Sequence, residues 1–294
     1  MARSTHSHGG RYVGRVVGTL SSNVSLRLAQ YRALTDPERT LALARRIVGA
    51  KIANQRDLLL RHARRRPESG TLRVAAKAMR ANASHLARCS TLDEVRGCEG
   101  AASACYFRVF GELLLAPGFR FDGRNRRPPR DPVNALLSLR YTLLSNDVQS
   151  AIEIVGLDPH LGALHAPLAG RPSLVCDLVE EHRAVVIDAL VVAALNKNAF
   201  KPGDFEDRGP EEPVVLPRET VRWMVTLYER RMQRSALYSD SGRRMTLRSI
   251  VEQQVRRFAR SLLSGEAWDR AQAPTRAAAG NRADGTESAT ECGP

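Results

Sequence analysis

The stretch that decides the fold is Ser173-Leu-Val-Cys-Asp177-Leu-Val-Glu180-Glu181-His-Arg-Ala-Val-Val-Ile-Asp188-Ala-Leu-Val-Val-Ala-Ala-Leu195. It is the most apolar stretch with helical periodicity in the chain, which predicts a helix buried in the core. On a helical wheel Asp177, Glu180 and Glu181 share one stripe. Asp188 falls on the same stripe. Like charges this close repel one another unless cations neutralise them, so the stripe is either a solvated acidic face or an anionic site.

Further helices are predicted on both sides of this stretch. Asp36-Pro37 and Asp131-Pro132 each place a capping side chain before a proline at the first helical position. Thr91 and Glu94 have the spacing of a capping box, and Gly156 provides a helix stop. The predicted helices run from 37 to between 61 and 67, and over about 71–87, 91–115, 134–155, 173–195, 218–234 and 246–263.

The two ends of the chain differ from this helical middle. Residues 11–30 are β-like and accommodate two short strands, one over Tyr12–Gly18 and one over Val24–Gln30, which cannot form a stable sheet alone. From Gly265 onward the sequence is aperiodic and polar. We therefore predict a mainly α protein, with an all-helical domain over 31–264. A remnant of a small N-terminal β domain over 1–30 precedes it, and a disordered tail over 265–294 follows it.

Charge is distributed unevenly along the 294 residues. The net charge is +14, but residues 1–130 hold 25 basic and 9 acidic side chains, whereas residues 131–200 hold 4 and 8. Coding bias explains why only four of the 45 basic residues are lysine, but it does not explain this separation of sign. A basic field beside an acidic pocket is typical of a metal-dependent enzyme that acts on a polyanion, and above all on a nucleic acid.

Several classes of protein are excluded by the sequence. There is no run of about 18 apolar residues and no apolar leader at the start, which predicts a cytoplasmic protein without a membrane span. The five cysteines are odd in number and lack a CxxC pair, so they are interpreted as reduced thiols. The glycine-rich nucleotide motifs, the esterase elbow and the HExxH zinc motif are also missing from the sequence.

Three further segments carry candidate functional residues. Glu99 lies in a predicted helix between Gly97 and Gly100, two glycines that suggest close approach of another helix or of DNA; the alternative is a surface glutamate. His165 precedes the acidic helix, where one histidine and two carboxylates suit Mn²⁺ or Mg²⁺ better than zinc; the alternative is a structural histidine. The loop 124–130 offers four arginines for phosphate, unless it is an ordinary solvated loop; they are Arg124, Arg126, Arg127 and Arg130.

These segments, taken in order, resemble the CRISPR-associated endonuclease of spacer acquisition, most closely the versions found at type I-C loci. The resemblance covers roughly residues 14–234 and is specific, because many motifs occur in the same order. They are Glu99-Gly-Ala-Ala, Gly123-Arg-Asn-Arg-Arg-Pro-Pro, Asp131-Pro-Val-Asn-Ala-Leu-Leu-Ser, Tyr141-Thr-Leu-Leu, Gly156-Leu-Asp-Pro, Leu164-His165 and Arg171-Pro-Ser-Leu-Val-Cys-Asp177-Leu-Val-Glu180-Glu-His-Arg183.

The resemblance implies a metal-dependent integrase that joins the 3′-hydroxyl ends of a short spacer duplex to the CRISPR repeat by transesterification. It also implies cleavage of branched DNA, a homodimer, and a small ferredoxin-like partner dimer. Carried over by motif, Glu99, His165 and Glu180 would hold Mg²⁺ or Mn²⁺, with Asp177 as an acidic helper.

The sequence departs from the family pattern at three places. The family normally has a longer β domain ahead of the Gly10-Arg-Tyr-Val-Gly-Arg15 segment, the ending after Ser235 diverges, and Ala184 replaces a frequent proline. An alternative function is therefore a catalytically inactive DNA-binding fragment or subunit of the same complex.

Overall fold

The computed structural model describes residues 3–6, 12–16, 23–125, 128–206, 209, 212–238, 242–265 and 268. Helices dominate this part of the chain, which confirms the mainly α prediction. The helices are α1 (Val24–Thr35), α2 (Pro37–Arg65), α3 (Gly70–Leu86), α4 (Leu92–Phe110), α5 (Pro132–Val155), α6 (Ser173–His182), α7 (Ala189–Asn196), α8 (Arg218–Met232) and α9 (Leu247–Ser264). The strands are β1 (Arg3–His6), β2 (Tyr12–Val16), β3 (Ser235–Tyr238) and β4 (Arg243–Thr246).

The predicted helix starts are present in the structure. The Asp36 and Asp131 carboxylates accept hydrogen bonds from backbone N–H groups in the first turns of α2 and α5. Thr91 and Glu94 form the reciprocal capping box of α4. Gly156 ends α5 with φ of 95°, a left-handed conformation that glycine adopts without steric cost. Each of these end groups has its hydrogen-bond partner only a few residues away in the chain. The sequence alone is therefore enough to predict these helix ends.

The apolar stretch 173–195 forms the centre of the helical packing. Helix α6 packs against α2 and α5, while α2, α3 and α4 pack against one another and α9 covers α5 and α1. All four acids of the predicted stripe are buried: Asp177 and Asp188 are 0 % exposed, Glu180 4 % and Glu181 6 %. A solvated acidic face is therefore wrong, and each carboxylate needs a partner inside the protein.

A π-helical segment, Arg183–Asp188, joins α6 to α7. Its wider turn changes the angular position of the residues that follow, so a regular helical wheel no longer applies beyond His182. Asp188 accepts hydrogen bonds from the hydroxyls of Tyr106 (2.8 Å) and Tyr141 (2.6 Å). Burial raises the pKa of Asp188 to about 6, although both tyrosines act in the opposite direction. Asp188 thus ties α4 and α5 to the central helix.

The second predicted strand, over residues 24–30, is wrong, because these residues form the first part of helix α1. Asn23 caps this helix by accepting a hydrogen bond from the Leu26 N–H at 3.0 Å. Leu26, Gln30 and Ala33 are buried on its inner face, at a spacing that only a helix places on one side. The alternation of apolar and polar residues fits both periods in so short a stretch, and packing against α2 and α9 decides between them.

The two short antiparallel pairs lie at opposite ends of the chain. β1 pairs with β2, and β3 pairs with β4 from Ser235 opposite Thr246 to Tyr238 opposite Arg243. The second hairpin was not predicted. Within the predicted tail the structure describes Gly265 and Trp268, and the Trp268 ring packs edge-on against Phe258 with centroids 5.3 Å apart. The other residues of the predicted tail lie outside the described residues. Among the helices described, none has the length and apolar character needed to cross a membrane.

His182, at the end of α6, is buried without charge. Desolvation lowers its pKa to about 4, from the 6.5 of an exposed histidine. The unfolded chain takes up this proton near pH 6.5 whereas the folded protein resists it, so acidification through this window favours unfolding.

We therefore expect the stability of the wild type relative to His182→Gln to fall by up to roughly 3 kcal/mol between about pH 7 and pH 4. Urea unfolding of both proteins across this range measures it. Other titrating groups are common to both and cancel in the difference. A difference that does not vary with pH would contradict the assignment.

Candidate active site

Glu99 on α4 and Glu180 on α6 are joined by a lysine from α2. The Lys51 ammonium lies 2.8 Å from Glu180 Oε2 and forms an ion pair with Glu99 Oε1. Lys51 is buried, Glu180 is almost completely buried, and the Glu99 side chain is 28 % exposed. The structure thus brings together two predicted site residues that are separated by 81 positions in sequence, with a cation between them.

Arg183 supplies a second positive charge to Glu180. Its guanidinium lies 3.3 Å from Glu180 Oε1 and stacks over the Tyr141 ring at 4.9 Å from the centroid. Burial alone would raise the pKa of the Glu180 carboxyl. The charges of Arg183 and Lys51 outweigh that effect and lower the pKa below its usual value. Glu180 is therefore ionised at neutral pH, as a metal ligand must be.

Asp177 contacts both the backbone and the ring of His165. Its Oδ2 accepts hydrogen bonds from the N–H groups of Ala163 (2.5 Å) and Leu164 (3.0 Å), and its Oδ1 accepts one from the His165 N–H (3.0 Å). The same Oδ1 lies 2.6 Å from His165 Nδ1. An ionised carboxylate can only accept, so Nδ1 is the donor in this contact, and in the neutral imidazole the lone pair is then on Nε2. Asp177 therefore fixes the orientation of the His165 ring.

The segment before His165 is fastened from two other helices. Arg96 on α4 donates two hydrogen bonds to the Leu164 carbonyl, at 3.1 and 2.9 Å. The fully buried Gln30 side chain on α1 donates to the carbonyls of Asp158 and Leu161. Because the loop carries almost no regular structure of its own, these contacts decide where the His165 ring lies.

The candidate ligands fit a hard divalent cation by chemistry. Two carboxylates and an imidazole with a free Nε2 suit Mg²⁺ or Mn²⁺. Among the residues described, however, Glu99, His165 and Glu180 do not form a group whose ligand atoms all lie within 4.8 Å of one another. The Lys51 ammonium takes the place between the two carboxylates, so a metal ion held by them would have to displace it.

The basic loop does not present its arginines equally. Arg124 is half-buried and donates to the side chains of Asn134 and Ser138, and its guanidinium lies 5.4 Å from the Tyr141 centroid. Its contacts pin the loop to α5. Arg130 is exposed. Arg126 and Arg127 lie outside the described residues.

Gly97 and Gly100 do not serve close packing against another helix. A Cβ added at either position would have no atom of the described structure within 4 Å. Close approach of another helix of the described chain is therefore wrong, and both positions are exposed.

Lys51 and Arg183 were not predicted as site residues from the sequence. Lys51 occupies the buried face of α2 with Ile47, Val48 and Ile52. A lysine in an apolar stripe is the signal that could have identified it, because lysine is almost never fully buried without an acidic partner. Arg183 follows Glu180 by three positions on the same helical face, which is a pairing distance.

The family model described as CRISPR associated protein Cas1 matches residues 4–230. The chain belongs to the Cas1 family. A CRISPR-associated endonuclease Cas1 of Moorella thermoacetica is 38% identical over 267 residues, which are 89% of this chain and 77% of that protein.

Two solved structures resemble the fold of this Cas1 protein. One, a casposase bound to an integration product, has a TM-score of 0.77 and 25% identity, covering 90% of this chain and 72% of the other. The second, a partial Cas6-RT-Cas1–Cas2 complex, has a TM-score of 0.72 and 25% identity, covering 91% of this chain and 79% of the other. The family resemblance predicted from the ordered motifs is thereby confirmed.

Gly162 allows the His165 segment of this Cas1 protein to approach α6. A Cβ at this position would lie 2.6 Å from Asp177 Oδ2 and 2.7 Å from the Ser173 backbone carbon, too close for either to remain in place. We expect Gly162→Ala to destabilise the protein by roughly 1–3 kcal/mol and to displace Asp177.

The matched control is Gly100→Ala, whose added methyl meets nothing. It should stabilise α4 by about 0.5–1 kcal/mol. Guanidinium unfolding of the two variants and the wild type measures both effects. Equal effects of the two substitutions would refute the tight approach at Gly162.

Proposed function

We propose that this chain is a metal-dependent DNA endonuclease and integrase of CRISPR adaptation, which joins the 3′-hydroxyl ends of short spacer duplexes to the CRISPR repeat by transesterification. The observation that carries the proposal is that Lys51 joins Glu99 to Glu180, while His165, held by Asp177, lies near enough to Glu180 for its charge to lower the pKa of that carboxyl. In support, its relatives are named endonucleases, and one structural neighbour is bound to an integration product.

The metal would be Mg²⁺ or Mn²⁺, held by Glu99, His165 and Glu180. When bound, such an ion supplies positive charge to the oxygens that attack and leave phosphorus. Asp177 keeps the proton on Nδ1 of His165 so that Nε2 is a ligand, and Arg183 keeps Glu180 ionised. Without a metal ion, Lys51 forms ion pairs with both carboxylates. A metal ion that displaced Lys51 would leave its ammonium able to bind a phosphate.

DNA is the proposed substrate because the positive charge of the chain lies in its first 130 residues, next to the acidic segment that carries His165 and Glu180. Arg126, Arg127 and Arg130 are proposed to contact phosphate, while Arg124 positions their loop on α5. The Glu99 side chain is 28 % exposed, so a bound polyanion can reach this carboxylate from solvent.

The proposed assembly is a homodimer that joins a small ferredoxin-like partner dimer. It is supported by the structural neighbour that contains Cas1 and Cas2. On the motif resemblance we also propose that the chain acts at a type I-C locus. The β1–β2 pair would correspond to the end of the family's N-terminal β domain.

Loss of any proposed ligand should abolish strand transfer. With the partner protein, a labelled duplex, a repeat-bearing plasmid and Mn²⁺, we expect Glu99→Gln, His165→Ala and Glu180→Gln each to lower the integration rate more than 100-fold, by analogy with loss of a main electrostatic group in other enzymes. Filter binding should show that each of these variants still binds the duplex.

Glu252→Gln is the control, because this half-buried acid of α9 pairs only with Arg256 one turn away among the described residues. It should retain full activity. If the ligand variants also retained it, the site assignment would be wrong. If the wild type bound DNA without cutting or joining it under any metal, the chain would instead be an inactive DNA-binding subunit.

Replacing Lys51 tests the metal site without an activity assay. Lys51→Met leaves Glu180 buried with one cation fewer, which should destabilise the protein by roughly 3–5 kcal/mol. Mn²⁺ should then raise the melting temperature of the variant more than that of the wild type, because no ammonium has to be displaced.

Thermal unfolding with and without Mn²⁺ measures this difference, and a Lys51→Met, Glu180→Gln double variant should lose the extra stabilisation. An equal Mn²⁺ effect in the wild type and Lys51→Met would show that the ion does not bind between these carboxylates.

A further inference from the structure

A second cluster of ligand-type side chains lies at the junction of α3 and α4. His85 is in the last turn of α3, Cys89 in the connection, and Cys98 in α4. One ligand atom from each lies within 4.8 Å of the others, and within the part of the chain that the structure describes this is the group of three that meets that condition. Cys89 is 1 % exposed and Cys98 6 %, whereas His85 is exposed.

The dimensions of the cluster suit a tetrahedral metal site. The two sulfurs are 3.5 Å apart. Zinc with bonds to sulfur of about 2.3 Å at the tetrahedral angle would place them about 3.8 Å apart, so a small outward movement is sufficient. A disulfide needs a separation of about 2.05 Å, a larger change in the opposite direction, and it leaves the histidine without a role.

We propose that His85, Cys89 and Cys98 bind a thiophilic divalent ion, Zn²⁺, with water in the fourth position. Two thiolates and an imidazole are soft to borderline ligands, which discriminate against the Mg²⁺ or Mn²⁺ proposed for the carboxylate site. The exposed His85 side gives the ion and the water a path from solvent, and the buried sulfurs enclose the other side.

The cluster lies between α2 and the turn of α4 that carries Glu99. Arg45 on α2 donates a hydrogen bond to the Cys89 carbonyl, which fixes the connection to the neighbouring helix. Cys98 directly precedes Glu99 in α4. An ion that links α3, the connection and α4 would therefore limit the movement of the helical turn that carries Glu99, while taking no part in the chemistry.

Cobalt substitution tests the site on the full chain. Chelator-treated, reduced protein titrated with Co²⁺ under argon should develop thiolate-to-cobalt charge-transfer absorption and the visible bands of a tetrahedral ion at one equivalent, and Zn²⁺ should abolish both. Cys89→Ser and Cys98→Ser should each lower Zn²⁺ affinity by more than about 100-fold, the upper end of what loss of an outer-shell partner costs.

Two controls separate this site from others. Cys105→Ser removes a half-buried cysteine of α4 that is not in the cluster, and it should leave the cobalt spectrum unchanged. Glu180→Gln should also leave it unchanged, because carboxylates give no thiolate charge transfer. His85→Ala replaces an exposed residue, so it should fold normally while weakening Zn²⁺ binding at least tenfold.

A wild-type protein with four or more titratable thiols and no charge-transfer band would overturn the proposal. Cobalt spectra that survive Cys89→Ser would do so as well. Mass spectrometry of the unreduced protein could instead show Cys89 and Cys98 in linked peptides, two hydrogen masses lighter than the sum of the reduced peptides. This result, together with no Zn²⁺ binding after reduction, would assign the pair to a disulfide.

Discussion

The rest of this structure depends on the burial of carboxylates in its central helix. An ionised carboxylate inside a protein is tolerated only when charge or hydrogen bonds compensate for lost water. Asp177 receives three backbone N–H groups and a histidine, Glu180 two cations, and Asp188 two tyrosines. Their partners come from α2, α4, α5 and the loop before α6, so satisfying the acids also fixes how those elements surround the helix.

The same requirement links stability to function. Lys51 stabilises the carboxylate pair, and a metal ion bound between these carboxylates would have to displace it. Helix α4 contributes Glu99 to this site and the Tyr106 hydroxyl that donates to Asp188. It also carries Cys98 of the cluster formed with His85 and Cys89. Contacts therefore hold α4 at Cys98 and Glu99 and again at Tyr106.

Local chemistry explains which features could be predicted from the sequence. The capping residues of α2, α4 and α5 act within three or four positions, so the starts of these helices were predicted to within a residue or two. The α1 segment was predicted as a strand because its short alternating pattern suits both periods. The β3–β4 hairpin was missed because Ser235–Tyr238 is too short to show a period. Helical periodicity singled out Asp177 and Glu180, whereas the prediction of Glu99, His165 and Glu180 as metal ligands followed from the ordered motifs.

The sequence by itself determined the helical class and the membership of the Cas1 family, and it predicted Glu99, His165, Asp177 and Glu180 as candidate site residues. Tertiary structure decided what these residues do to one another. It placed Lys51 between two carboxylates, turned Asp177 towards His165, and committed Arg124 to α5. These contacts join residues from about ten to more than a hundred positions apart. No local sequence pattern predicts contacts between residues so far apart in the chain. These contacts depend on which helix faces pack together to bury apolar surface.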